Sequence, residues 1–210
     1  MISGIIFDLD GVLCSTDLYH YQAWKVIADD IGIAFTESDN AKLRGVSRMD
    51  SLNILLGKRA DSFSIHDKQI LAERKNAIYR EKLSQMTEHD ISPEIRLMLR
   101  NLKAKYRLAV GSSSKNTGYI LAQTKIESFF DAVADGNEIK YSKPNPEVFL
   151  LAARKLSLRP EECVVVEDAP AGIEAAKAGG FISVALGKYV EDCEASFHIR
   201  HVTELAEILL

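Results

Sequence analysis

Short runs of β-branched and other apolar residues alternate along this chain with stretches whose apolar positions recur every three or four residues. The runs fall at Ile2–Phe7, Arg107–Val110, Ala132–Ala134, Cys163–Val166 and Phe181–Ala185. Each ends in small or polar residues, and most are followed by a helical pattern. Strands alternating with helices predict an α/β fold, a doubly wound parallel sheet of Rossmann-like type. The run CVVVE, apolar up to its last residue, fits a strand covered on both faces.

The stretch from Asp17 to Asp90 departs from this rhythm and carries no strand pattern. DLYHYQAWKVIADDIG has helical spacing and stops at Gly32, and SRMDSLNILLG starts at an N-cap-like Ser47 and stops at Gly57. HDKQILAERKNAIYREKLSQM predicts a long, charged amphipathic helix. A block of helices directly after the first strand reads as an insertion. The chain is expected to leave the core near Ser15 and re-enter near Ile91-Ser92-Pro93, giving a core of 1–14 and 92–210 and an α-helical insertion of 15–91. Pro93 favours an extended approach to the helix that follows. The tail, HVTELAEILL, predicts a final amphipathic helix.

Composition narrows the partners. With 47% hydrophobic and 27% charged residues over 210 positions, the chain can bury a real core, which argues against disorder. A net charge of −4 leaves no basic stripe for nucleic acid, so an anionic ligand must be held by a few local cations or by a metal. Cys14, Cys163 and Cys193 have neither zinc nor disulfide spacing, which suits a reducing cytoplasm. Ile5–Phe7 meets Asp8 before a signal-peptide core can form, and no apolar run reaches membrane-spanning length. A soluble cytoplasmic protein is expected, without nucleic-acid or membrane partners. A monomer is expected too, since no partner surface is evident.

Four short motifs share one predicted location. FDLDGVL puts Asp8 and Asp10 where the first strand ends, with Gly11 permitting a sharp turn. The carboxyl end of a strand in an open parallel sheet is where such folds place ligands. One carboxylate could act as nucleophile or metal ligand and the other as general acid/base, although a turn with two solvated acids has the same letters. LAVGSSSKN ends a strand in glycine and Ser112-Ser113-Ser114, whose hydroxyls and amides suit an anion; a serine-rich N-cap looks alike. Lys143, before Pro-x-Pro in YSKPNPE, sits on a stiff loop that can aim one charge at a phosphate, or can simply face solvent. Glu167 and Asp168 close the CVVVE strand, as oxygen ligands for Mg²⁺ or as acids beside a helix N-terminus. A parallel sheet brings all four to one edge. Together they describe a phosphoryl-transfer site, and no GxxxxGK[ST] nucleotide loop occurs.

FDLDGVL, GSSSKN, SKPNPE and VVEDAPAGIEAAKAGG resemble, in order and spacing, the four motifs of the haloacid dehalogenase-like superfamily, and the helical insertion matches a cap domain placed after the first motif. YHYQAW, RGVSRMDSL and ERKNAIY, with the Lys-Asn of SSSKN, resemble its phosphoglucomutase branch. The resemblance implies that Asp8 becomes an aspartyl phosphate and that Asp10 shuttles the proton. It implies Mg²⁺ bound by the Asp8 carboxylate, the Asp10 backbone carbonyl, Glu167 and Asp168, with Ser112 and Lys143 on the transferring phosphoryl group. Arg48, with Ser114, Lys115 and Asn116 and flanked by Ser113, would grip the other phosphate of the sugar. His20, Trp24, Ser51 and Lys75 would contribute from the cap, along with Gly45-Val46-Ser47, and Thr16 would bond Asp10 when the cap closes. The implied ligands are β-glucose 1-phosphate, glucose 1,6-bisphosphate and glucose 6-phosphate.

Plainer roles stand beside these. His20 and Trp24 could be packed core residues, and Lys75 could face solvent from its charged helix. Arg48 is the stronger candidate, because an N-capped first turn already favours an anion. Two positions depart from the pattern: Ser15 stands where many relatives carry Asp, and Pro93-Glu94 where the linker often shows Pro-Gly, which predicts a stiffened second hinge strand. The rival reading is a sugar-phosphate phosphatase with the same core. An inactive binding module would lack Asp8, Asp10, Lys143 or Asp168, and all four are present. A dehalogenase fits less well, since the metal-binding acids suit phosphoryl transfer.

Overall fold

In the computed structural model, which describes residues 1–209, the run Gly4–Phe7 forms β1 near the middle of a six-stranded sheet. The chain then builds four helices before returning: α1 (Asp17–Asp30), α2 (Glu37–Ala41), α3 (Arg48–Leu56) and α4 (Ile65–Leu83). α5 (Pro93–Lys103) leads into β2 (Arg107–Gly111), followed by α6 (Thr117–Thr124), β3 (Ala132–Ala134) and α7 (Glu147–Lys155). β4 (Cys163–Glu167), α8 (Pro170–Ala178), β5 (Ile182–Leu186), β6 (Phe197–Ile199) and α9 (Leu205–Leu209) complete it. All pairings are parallel, in the order β3-β2-β1-β4-β5-β6. This is the doubly wound sheet that the alternating pattern predicts.

The two-residue period of a strand divides the core. Ile5 and Phe7 join Leu108, Val110, Val164 and Val166 on one face, under Leu99 and Leu102 of α5 and Ile120 and Leu121 of α6. Ile6 turns to the other face with Ala109 and Val165, under Phe149 and Ala152 of α7 and Ala175 and Ala176 of α8. Each fully buried aliphatic side chain contributes about 1.5–3 kcal/mol, so the central strands are the stable frame on which loops can carry chemistry.

The helices between β1 and β2 have a cluster of their own: Trp24, Ile27, Phe35, Leu52, Leu55 and Leu56. Ala23 of α1 and Tyr79 and Leu83 of α4 belong instead to the cluster of Phe7, tying the block to the sheet layer. Ser47 caps α3 as predicted, its hydroxyl accepting from Asp50 N.

The structure differs from expectation in several places. β6 and α2 carry no pattern of their own, being short; Phe197 and His198 of β6 are exposed at the sheet edge. The predicted terminal helix is a 3₁₀ turn, Val202–Glu204, followed by α9, and Leu210 of that prediction lies outside the described residues. The stiffened hinge strand at Pro93-Glu94 does not form. Pro93 is instead the first residue of α5, where its missing N–H costs nothing, and Ser92 caps the helix by accepting from Ile95 N at 3.3 Å. Among the described residues no helix is long and apolar enough to cross a membrane.

Candidate active site

Phe7 pairs with Val166, so β1 and β4 release their next residues at the same edge of the sheet. One oxygen each of Asp8, Glu167 and Asp168 lies within 4.8 Å of the others, and all three residues are buried. Two glycines permit the approach. Gly11 turns with φ +89°, and a Cβ there would fall 2.1 Å from Asp168 Oδ2. A Cβ on Gly172 of α8 would fall 1.9 Å from Cδ of Glu167.

Lys143 reaches this cluster from the loop before α7. It is 1% exposed, and its Nζ lies 2.5 Å from both Asp8 Oδ1 and Glu167 Oε1, which rules out a solvent-facing lysine. Burial opposes its charge, but the two carboxylates outweigh burial and hold its pKa above the ordinary lysine value. Burial, then repulsion from Glu167 and Asp8, pushes Asp168 up to about 8, and burial likewise raises Glu167. Three carboxylates crowded at this depth repel one another, and the pKa of Asp168 stays raised although Lys143 and Arg44 both oppose the rise. A small divalent cation with hard oxygen preferences, such as Mg²⁺, fits this donor set.

The Asp10 carboxylate is not one of the three. Thr16 donates to Asp10 Oδ1, and Tyr79 Oη donates to Thr16 Oγ1 at 3.1 Å. Burial, then the Asp8 charge, pushes Asp10 up to about 6, so a modest change of surroundings moves its proton on or off near neutrality.

The serine run does not act as an N-cap. Ser112 Oγ accepts from Ser114 N at 3.2 Å, Ser113 Oγ from Lys143 N at 3.3 Å, and Ser114 Oγ from Asn116 N at 3.2 Å. The hydroxyls brace their own loop and the neighbouring one that carries Lys143, while Asn116 occupies the cap position of α6.

A cavity of about 1170 Å³ opens between this edge and the helical block. Asp8, Asp10, Ser112, Ser113, Ser114, Lys115, Asn116 and Lys143 line it from the sheet side. His20, Trp24, Gly45, Val46, Ser47, Arg48, Ser51 and Lys75 line it from the helices. Thr16, Glu167 and Asp168 are not part of the lining; they touch it through Asp10, Lys143 and the carboxylate cluster. Lys75, 2% exposed, is no solvent-facing lysine: its Nζ lies 2.9 Å from His20 Nδ1 and over the rings of Tyr79 and Trp24 at 4.3 and 5.0 Å. Burial, then Arg48, lowers Lys75 to about 7, and burial holds His20 well below its usual value. The two basic groups share one hydrogen bond, and burial disfavours the charged form of each. Burial also lowers Arg48 from the ordinary arginine value. Trp24 serves both the block's core and the cavity wall.

Three contacts across the cavity have no counterpart in the sequence reading. Arg44 donates to Asp17 and Asp168 and lies 4.1 Å over the Tyr189 ring. Asp50 accepts from Ser142 Oγ at 2.8 Å, beside Lys143, and Asn116 donates to Asn76 at 3.0 Å. Arg44, Asp50 and Asn76 all lie inside the motifs quoted above, but the spacing to these partners is non-local and leaves no periodic signal.

A family model described as haloacid dehalogenase-like hydrolase matches residues 2–180. The β-phosphoglucomutase of Bacillus subtilis is 37% identical over 212 residues, covering 100% of this chain and 94% of its own. A phosphorylated carbohydrates phosphatase of Thermotoga maritima is 31% identical, covering 85% of this chain and 82% of its own. The crystal structure of β-phosphoglucomutase from Clostridium difficile superimposes with a TM-score of 0.92 at 38% identity, covering 98% of this chain and 93% of that one.

Proposed function

The chain belongs to the haloacid dehalogenase-like family and is an enzyme of it, and from that premise we propose that it interconverts β-glucose 1-phosphate and glucose 6-phosphate through glucose 1,6-bisphosphate. One observation carries the proposal. A single cavity is lined both by Asp8 with Lys143, a carboxylate nucleophile beside its lysine, and by Arg48 with Lys115, two cations for a second phosphate, which suits a sugar bearing two phosphates. The full-length likeness to β-phosphoglucomutases supports the same reading.

In this reading Asp8 is the nucleophile and carries the phosphoryl group as an aspartyl phosphate. Lys143 neutralises charge on that group, and Ser112 donates a hydrogen bond to it. Asp10 removes the proton from the sugar 6-hydroxyl as the group leaves Asp8. After the bisphosphate turns over, its 1-phosphate returns to Asp8, and Asp10 gives the proton to the departing 1-hydroxyl. Arg48, Ser114, Lys115 and Asn116 hold the phosphate that is not being transferred. The Asp8 carboxylate, the Asp10 carbonyl, Glu167 and Asp168 would hold Mg²⁺, which supplies further neutralisation of the phosphoryl oxygens when bound. We take residues 15–91 as a cap over a core of 1–14 and 92–210, closing to exclude water from the aspartyl phosphate. His20, Lys75 and Trp24 would form its sugar-facing wall. Three free cysteines suit action in a reducing cytoplasm.

The likeness to a carbohydrate phosphatase favours a second reading, in which water takes the group from Asp8. A glucose 6-phosphate dehydrogenase-coupled assay with Mg²⁺ and catalytic glucose 1,6-bisphosphate separates them. We expect glucose 6-phosphate from the β anomer and not from the α anomer. Stoichiometric inorganic phosphate without glucose 6-phosphate would establish the phosphatase instead.

A further inference from the structure

Asn116 holds the cap position of α6 without capping it. Asparagine there ordinarily turns its side-chain oxygen onto the first free amides of the helix. Here no such bond forms. The side chain, on a residue only 5% exposed, instead sends Nδ2 to Oδ1 of Asn76 on α4, 3.0 Å away. The main chain of Asn116 is fixed separately, its N–H donating to Ser114 Oγ at 3.2 Å. Asn116 lines the cavity and Asn76 does not.

A primary amide offers donors on one arm and an acceptor on the other, so rotation by half a turn reverses what it presents. The arrangement that bonds Asn76 Oδ1 uses one N–H of Asn116 and leaves the second without a partner among the described residues; its selection requires Asn76 to present its oxygen. Asn76 belongs to the helical block and Asn116 to the loop at the sheet edge, so this selection operates only when the two parts are together.

We propose that Asn76 is a positioning residue, which aims the Asn116 amide so that an N–H faces the oxygens of the sugar phosphate that is not being transferred. The identity of that ligand rests on the mutase reading. Asn76 touches no substrate itself, and it makes the grip on the second phosphate depend on the helical block being in place.

The test is a double-mutant cycle in the full-length, Mg²⁺-loaded enzyme, with Asn76→Ala, Asn116→Ala and both. Asn76 is half-buried on a helix, where alanine is well tolerated, and circular dichroism checks the fold. Calorimetric binding of glucose 1,6-bisphosphate is expected to weaken roughly five- to tenfold for Asn76→Ala, a part of the roughly ten- to hundredfold that full loss of one hydrogen bond to a charged group costs, since Asn116 itself remains. The double variant is expected to bind no more weakly than Asn116→Ala. KM for β-glucose 1-phosphate should rise with kcat changed by less than about twofold, because a ground-state contact is lost. Phosphorylation of Asp8 by acetyl phosphate, which has no second phosphate, should match wild type in Asn76→Ala. Wild-type affinity in Asn76→Ala, or losses that multiply in the double variant, would overturn the proposal, as would failure of the wild-type enzyme to bind the bisphosphate. Absence of glucose 6-phosphate formation by an enzyme that still shows the binding coupling would overturn only the mutase reading.

Discussion

Lys75 is the residue whose surroundings fit its charge least. It is enclosed by Trp24, Tyr79 and a neutral His20, and its proton is held with a pKa near 7 against an ordinary 10.5. Between those two values the unfolded chain binds a proton that the folded enzyme does not, so folding stability rises as pH rises. Below pH 7 both states are protonated, and the penalty stays constant at its largest. The stability of wild type relative to Lys75→Met is therefore expected to improve by about 2 kcal/mol between pH 7 and 9. Urea unfolding at several pH values measures it, and a flat difference would mean that Lys75 is better solvated than its contacts indicate. Asp10 supports a second prediction. Asp10→Asn keeps the bond from Thr16 and the packing around it, yet loses the proton shuttle. Circular dichroism should be unchanged while kcat falls roughly 10²–10⁴-fold; normal turnover would remove Asp10 from the chemistry.

At the scale of elements, β4 and α8 approach so closely that only glycine fits at position 172. Gly172→Ala sets two effects against each other. Alanine favours the helix by about 1 kcal/mol, but its methyl would displace the Glu167 carboxylate. Displacing a fully buried carboxylate from its Lys143 pair outweighs that gain, so we expect a lower melting temperature together with a loss of activity of about tenfold or more in the molecules that stay folded. Full activity per folded molecule would mean that the Glu167 carboxylate is not needed where it stands. Elements of this kind were legible in the sequence to the degree that they are buried. CVVVE and GIIF read clearly because each strand is covered on both faces. β6 did not, because Phe197 and His198 lie exposed at an edge and carry no core-facing repeat. The catalytic inventory was readable for a related reason, since Asp8 and Lys143 sit in motifs a few residues long. The burial of Lys75 was not, because the aromatic residues that enclose it come partly from another helix. The contacts of Arg44 and Asn76 were hidden likewise, being made between elements distant in sequence.

Across the whole molecule a sheet edge faces a helical block over a cavity; Ala23, Tyr79 and Leu83 pack the block onto the sheet layer, and a few polar contacts bridge the cavity. Arg44 makes the most concentrated of these, reaching Asp17, Asp168 and Tyr189 at once. If the block serves to keep water from the aspartyl phosphate, loosening that contact should misdirect the phosphoryl group. Arg44→Met is expected to raise the share released as inorganic phosphate severalfold relative to glucose 6-phosphate. An unchanged ratio, measured by assaying both products, would mean that other contacts suffice to hold the block. The central claim is that Asp8 takes the phosphoryl group and hands it to a sugar rather than to water. Enzyme labelled with ³²P-acetyl phosphate and Mg²⁺, then mixed with β-glucose 1-phosphate and quenched within one turnover, tests this directly. The label should leave wild-type enzyme as glucose 1,6-bisphosphate and should not load onto Asp8→Asn at all. Label appearing first as inorganic phosphate, or loading undiminished onto Asp8→Asn, would contradict it.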